Sequence, residues 1–219
     1  MVIFDCDGTL VDSQNAIVAA MEAAFKAHGL EPPLRTATLS IVGLSLIEAV
    51  TLLYPGGTPA AIAALAQGYR DAFSEIRARG DELEPMFPGA REVVAALAER
   101  KDVALGIATG KSDRGVRRLL KREGWKGLFH TIQTSDHHPS KPHPSMIEAA
   151  LAETRVGPEA AVMVGDTTFD IEMGLAAGVT GIGVSWGYHP VPRLEAAGAC
   201  LILGAFPDLL PWIDRLARR

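Results

Sequence analysis

Two carboxylates stand two residues apart in Asp5-Cys6-Asp7-Gly8-Thr9-Leu10, directly after the apolar run Val2–Phe4. Such a pair beyond the end of a strand can hold a hard metal ion, act as nucleophile beside a general acid, or do both. Gly8 lets the chain turn sharply behind them. A second acidic pair, Gly165-Asp166-Thr167-Thr168-Phe169-Asp170, follows the apolar residues 160–164. Asp166 leaves that run at its end, and Asp170, one helical turn on, can point back to the same place. Ala108-Thr109-Gly110-Lys111-Ser112 offers a hydroxyl, a glycine N–H and a helix start, which together suit an anion. Lys141 supplies a cation within Ser-Lys-Pro-His-Pro, 140–144. Each feature has a plainer reading when taken alone: an acidic turn, a helix N-cap, a Thr cap and a surface lysine. Cys6 has no convincing His partner and reads as packing.

These residues need elements to bring them together. Short β-type runs occur at 103–109, 128–135, 160–166, 179–187 and 199–204, and helix-like stretches at 112–124, 144–154, 169–178 and 191–198 lie between them. Strands alternating with helices predict an α/β fold, a Rossmann-like parallel sheet covered on both faces. All four motifs then fall at strand carboxyl ends or in the loops just after, where such sheets bind ligands. The first strand is short, since only four residues precede Asp5, and the next sheet-like run begins a hundred residues later. The intervening stretch reads as helices at 16–29, 44–54 and 58–80, followed by the turn Pro85-Met86-Phe87-Pro88-Gly89. We therefore expect a core of 1–13 and 86–219 with an inserted helical cap domain, 14–85, joined by hinges near Ser13 and Glu84.

The chain has 219 residues, 48% of them hydrophobic, with 21 basic against 26 acidic residues and a net charge of −5. Disorder is excluded, and a nucleic-acid partner is not expected. The acidity weighs against anionic ligands until its location is considered. Asp5, Asp7, Asp166 and Asp170 would gather four negative charges around Lys141, where a divalent cation belongs. No signal segment and no eighteen-residue apolar stretch is visible, so no membrane association and a cytoplasmic location are expected. Two distant cysteines fit a reducing compartment. His28 reads as helix-end surface, His137-His138 as a solvated loop, and Arg70, Arg77 and Arg79 as a solvated helix face.

Taken together, DxDGT, Thr109, Lys141-Pro142 and GDxxxD, with a helical insertion after the first motif, resemble the haloacid dehalogenase-like hydrolases of the helical-cap branch, phosphoglycolate phosphatase-like enzymes above all. The resemblance runs through DCDGTLVDS, PGAREVVAAL, ATGKS, KPHP, GDTTFDIEMGLAAGV and the WGY stretch at 186–188. It implies Asp5 as the nucleophile that becomes an aspartyl-phosphate, and Asp7 as general acid and then general base. It also implies Mg²⁺ held by the Asp5 carboxylate, the Asp7 carbonyl and Asp166, with Asp170 as ligand or support. Thr109, the Gly110 N–H and Lys141 would hold the phosphoryl oxygens. The implied partner is a small phosphorylated metabolite, with phosphoglycolate the first guess, for a monomer or homodimer. Gly110 departs from the Asn of many relatives, and Lys111 is either structural or faces the ligand. Asp7 argues against a dehalogenase, and Lys26 as the single lysine of 14–86 argues against a phosphonatase. A receiver module carries its acceptor on a later strand. A β-phosphoglucomutase-like mutase shares the core motifs, and a non-catalytic phosphate-binding regulator stays open.

Overall fold

Apart from Thr-Ile-Gln-Thr at the sheet edge, whose Ile132 is exposed, mostly apolar runs make strands buried on both faces. In the computed structural model, which describes residues 1–78 and 84–216, they form β1 (Val2–Phe4), β2 (Leu105–Thr109), β3 (Thr131–Thr134), β4 (Val162–Gly165), β5 (Thr180–Val184) and β6 (Leu201–Leu203). All pair in parallel, in the order β3-β2-β1-β4-β5-β6. The strands are shorter than the apolar runs that predicted them. At 128–130 the reason is local: the Leu128 N–H turns back to the Trp125 carbonyl, outside the ladder.

The helices are α1 (Gln14–Ala27), α2 (Arg35–Leu39), α3 (Leu46–Leu53), α4 (Pro59–Ala78), α5 (Ala90–Ala98), α6 (Asp113–Arg122), α7 (Ser145–Thr154), α8 (Thr168–Ala176), α9 (Val191–Ala196) and α10 (Leu209–Leu216). Alternation along the strands assigns them to faces. Val2, Phe4, Leu105 and Ile107 pack with α5, α6 and α10, whereas Ile3, Ala108 and Met163 pack with α7 and α8. Two helices were not expected. In α2 the polar sequence RTATL carries no apolar period, and in α10 Pro211 hides a helix because it sits in the first turn, where a missing N–H costs nothing.

Helices α1 to α4 fill the long interval after β1. On α1, Ile17, Met21 and Phe25 recur every four residues, and on α4 Ile62, Leu65, Ala66 and Phe73 share one face. These side chains form two apolar clusters of their own, separate from those of the sheet. The two connections to the sheet lie side by side: Asp12 N–H donates to the Pro85 carbonyl and Phe87 N–H to that of Leu10. Gly89 turns the second connection into α5 at φ 84°. No helix among the described residues is long and apolar enough to cross a membrane.

The short β1 is paired on both sides, with Ile3 between Gly106 of β2 and Met163 of β4. Phe4, fully enclosed there, is expected to cost ~3–5 kcal/mol when truncated in Phe4→Ala. Denaturant unfolding should register this as a lower midpoint at unchanged slope.

Candidate active site

Asp5 and Asp166 leave adjacent strands, β1 and β4, at the place where the winding of the sheet reverses direction. That reversal opens a crevice beyond the strand ends. After Asp5, the Cys6 carbonyl accepts the N–H groups of Thr9, Leu10 and Val11, and Gly8 closes the turn at φ 89°. The turn seats the Thr9 hydroxyl, which donates to Asp166 Oδ1 at 2.9 Å, while the Tyr188 N–H donates to Asp166 Oδ2 at 2.9 Å. A Cβ at either Gly8 or Gly187 would run into the Asp166 side chain. Trp186 Nε1–H ties down the Thr9 carbonyl at 3.1 Å. Three consecutive residues, Trp186, Gly187 and Tyr188, thus wall the acidic centre.

Asp170 lies three residues past the N-cap Thr167 and closes a capping box: its Oδ2 accepts the Thr167 N–H at 3.0 Å and hydroxyl at 2.8 Å. Its Oδ1 accepts from Lys141 Nζ at 2.6 Å, and the same ammonium donates to Asp5 Oδ1 at 2.8 Å. The Lys141 side chain has 0% exposure. Burial pushes the Asp5 carboxyl up to about 6 against the opposing pull of Lys141, with Asp170 adding to the rise. Burial, then the charges of Asp170 and Asp5, raise Asp166 as well.

Oxygens of Asp5, Asp166 and Asp170 all lie within 4.8 Å of one another. Asp5 Oδ2 is buried without a hydrogen-bond partner among the described residues. A compact all-oxygen set with one unsatisfied carboxylate oxygen fits a hard divalent cation such as Mg²⁺. The Asp7 side chain is not in this set and turns elsewhere.

Comparison with known proteins gives this arrangement a family. A model of haloacid dehalogenase-like hydrolases matches residues 2–184. The chain belongs to that family. It is 36% identical over 217 residues to "Probable phosphatase IndB" of Dickeya dadantii, covering 96% of this chain and 91% of that protein. It is 30% identical over 221 residues to a phosphoglycolate phosphatase of Synechococcus elongatus, covering 100% and 99%. Among solved structures, a hydrolase from Pseudomonas syringae superposes with TM-score 0.85 at 25% identity, covering 98% of this chain and 97% of that one. The chain is a phosphatase-type hydrolase.

In this haloacid dehalogenase-like hydrolase, Asp5, Asp7, Thr109, Gly110 and Lys111 line a cavity of about 800 Å³ between the sheet and α1–α4. Lys141, Asp166 and Asp170 lie behind Asp5, fully buried. Lys141, expected at a phosphoryl oxygen, makes ion pairs to Asp5 and Asp170. Thr109 accepts the Lys111 N–H on its hydroxyl at 3.2 Å. Gly110 is bare for a steric reason: its Cβ would stand 2.5 Å from the Gly43 carbonyl oxygen and 2.7 Å from that of Leu44. The loop before α3 occupies the space an Asn side chain would need.

Lys111 lines the cavity, and its tip is held by two carboxylates. Its ammonium donates to Asp7 Oδ1 at 2.6 Å and approaches Glu84 Oε1 at 3.4 Å, and Glu84 holds Arg77 of α4 at 2.6 and 2.8 Å. The Ser13 hydroxyl donates to the same Asp7 oxygen at 2.7 Å. Arg77, expected on a solvated face, is therefore drawn in by Glu84, with its guanidinium 4.3 Å from the Phe73 ring centroid; Arg79 lies outside the described residues. His189 also joins sheet and insertion. Its Nδ1 accepts the Thr168 N–H, so its protonated Nε2 donates to the Ser40 carbonyl. Thr9, Ser13, Glu84, Trp186 and His189 were not singled out from the sequence as site residues. Their signals were single polar or aromatic side chains, and only distant partners give those meaning.

As expected, His28 is exposed at the end of α1, His137 lies exposed beside Asp113, and Cys6 is buried; His138, expected in a solvated loop, is instead half-buried between the Ser145 hydroxyl and the Gln133 side chain. Burial by itself would raise the Glu84 carboxyl, but the Arg77 hydrogen bonds and the Lys111 charge hold it at about 2. That stabilisation is complete above the ordinary value of 4.5 and is lost as pH falls toward 2. Glu84→Gln should lower stability by ~2 kcal/mol at pH 7. Urea titrations at a series of pH values should show this difference shrinking below pH 4.5.

Proposed function

We propose that the chain is a magnesium-dependent phosphatase that hydrolyses a small-molecule phosphomonoester through an aspartyl-phosphate on Asp5. The observation that carries this reading is the state of Asp5 itself. One of its oxygens is held by Lys141, the other is buried and unpartnered, and the residue lines the same cavity as Asp7, Thr109 and Gly110.

In the first step an Asp5 carboxylate oxygen bonds to phosphorus as the ester P–O bond breaks, and Asp7 gives its proton to the departing alkoxide. In the second step water attacks the same phosphorus while Asp7 takes its proton. The acyl-phosphate P–O bond then breaks, freeing phosphate and restoring Asp5. Thr109 and the Gly110 N–H receive the phosphoryl oxygens. Lys141 positions Asp5 and compensates Asp170 from behind. Asp5, Asp166 and the Asp7 carbonyl would hold Mg²⁺, with Asp170 in support, and the ion would supply the positive charge that lets a carboxylate approach a phosphate dianion. Residues 14–85 act as a cap over a core of 1–13 and 86–219, with hinges at Ser13 and Glu84. The cap encloses a metabolite rather than a polymer, consistent with a cytoplasmic monomer or homodimer.

Phosphate release from 4-nitrophenyl phosphate should require Mg²⁺, stop on chelation, and fall by ~10³-fold or more in Asp5→Asn, with Asp7→Asn losing ~10²–10⁴-fold. Full activity in Asp5→Asn would overturn the nucleophile assignment. A phosphomutase is the competing reading, since Arg70 and Arg77 line the cavity where a second phosphate would sit. Interconversion of glucose phosphates outpacing phosphate release would favour it.

A further inference from the structure

The cavity is several times larger than a two-carbon phosphate ester, and its walls differ in kind. One side is apolar, with Val42 and Leu46 beside the paired rings of Tyr69 and Phe73, whose centroids are 5.5 Å apart. The other side is α6, which starts immediately after Thr109–Ser112. Arg114, Arg117, Arg118 and Lys121 of α6 all line the cavity, and Arg70 of α4 lines it from the insertion.

This concentration of cations is out of step with the chain as a whole, which is net acidic at −5. Among the described residues, the acids on the cavity wall do not answer Arg70, Arg114 and Lys121. Asp5 and Asp7 belong to the reacting centre, and Asp136 accepts the Asp113 N–H. Arg70, Arg114 and Lys121 have no acidic partner among the described residues, whereas Arg117 pairs with Asp113 at 3.1 Å. Like charges gathered around one cavity repel, and an anion bound between them turns that repulsion into attraction. From Arg114 to Lys121 the helix advances about 10 Å, at roughly 1.5 Å per residue. The cationic wall is therefore longer than a two-carbon acid.

We infer that the leaving group is elongated, with an apolar or aromatic segment against Tyr69 and Phe73 and a second anionic group, carboxylate or phosphate, held at its far end by Arg70, Arg114 and Lys121. This rests on the phosphatase reading for the reacting end and replaces phosphoglycolate as the ligand that fits the cavity. A two-carbon acid would leave the aromatic wall uncovered and is shorter than the spacing of the α6 cations along the helix.

The test separates binding from turnover. Calorimetry with the full chain in Mg²⁺ would compare three non-hydrolysable phosphonates: 4-biphenylyl-methylphosphonate, its 4′-carboxylate, and its 4′-phosphonate. The two charged ligands should bind roughly five- to tenfold more tightly than the plain one, the order expected for charge-assisted contacts near solvent. The advantage should shrink with added salt. It should disappear in Arg70→Gln/Arg114→Gln and persist in Arg70→Lys/Arg114→Lys. The carboxylate and phosphonate arms report which anion the far end prefers. Equal affinities for charged and plain ligands, or an advantage unchanged in the Gln variant, would overturn the inference whatever the turnover results. Preference for the charged ligands without release of phosphate from 4-nitrophenyl phosphate would instead sink the phosphatase reading and leave the distal anion site standing.

Discussion

The buried ammonium of Lys141, held between Asp5 and Asp170, is the interaction around which the site is organised. Three carboxylates and one lysine are withdrawn from water within a few ångströms. An isolated charge in such a place costs several kcal/mol, so each needs dedicated partners. Lys141 serves two of them, Thr9 and the Tyr188 N–H serve Asp166, and the Thr167 capping box serves Asp170. These partners come from the loop after β1, the loop after β3, the start of α8 and the turn after β5. The strand order that puts β1 beside β4 is therefore a precondition for the cluster. The compensation stops one oxygen short, at Asp5 Oδ2, on the residue proposed to react.

A second group of charges joins this centre to the inserted helices. Asp7 is held by Ser13 on one connection and, through Lys111, by Glu84 on the other. Glu84 reaches on to Arg77 in α4. Both places where the chain passes between sheet and insertion thus touch the proposed acid and base. A displacement of α4 relative to the sheet would pull on Glu84 and alter what Lys111 offers Asp7. His189 and Ser140 add fixed points on the far side, the one donating to the Ser40 carbonyl and the other accepting the Ser45 N–H at 2.8 Å. The loop of Gly43 and Leu44 can settle against Gly110 only because position 110 carries no side chain. The departure from the family pattern at Gly110 meets a packing requirement of this loop.

The charge of the molecule reads differently once it is located. The acidic surplus includes the enclosed aspartates, while α6 and Arg70 put basic side chains on the cavity wall. An overall value of −5 averages two regions of opposite sign.

Much of this was legible in order and spacing. The alternation of apolar runs and helical stretches specifies a parallel sheet, because a strand buried on both faces has no polar side and the helices between must cover it. The four motifs at strand ends mark the crevice, since strand ends are where such a sheet leaves backbone and side chains open to a ligand. The helices α2 and α10 escaped because short polar or proline-bearing segments carry no apolar period. The sequence by itself determined which residues could do chemistry and roughly where each would emerge. Only the tertiary structure decided that Lys141 faces carboxylates, that Lys111 and Arg77 meet at Glu84, and that the cations of α4 and α6 line one cavity. Contacts between residues tens to more than a hundred positions apart depend on strand order and on how the insertion settles on the sheet, and local periodicity holds no record of either.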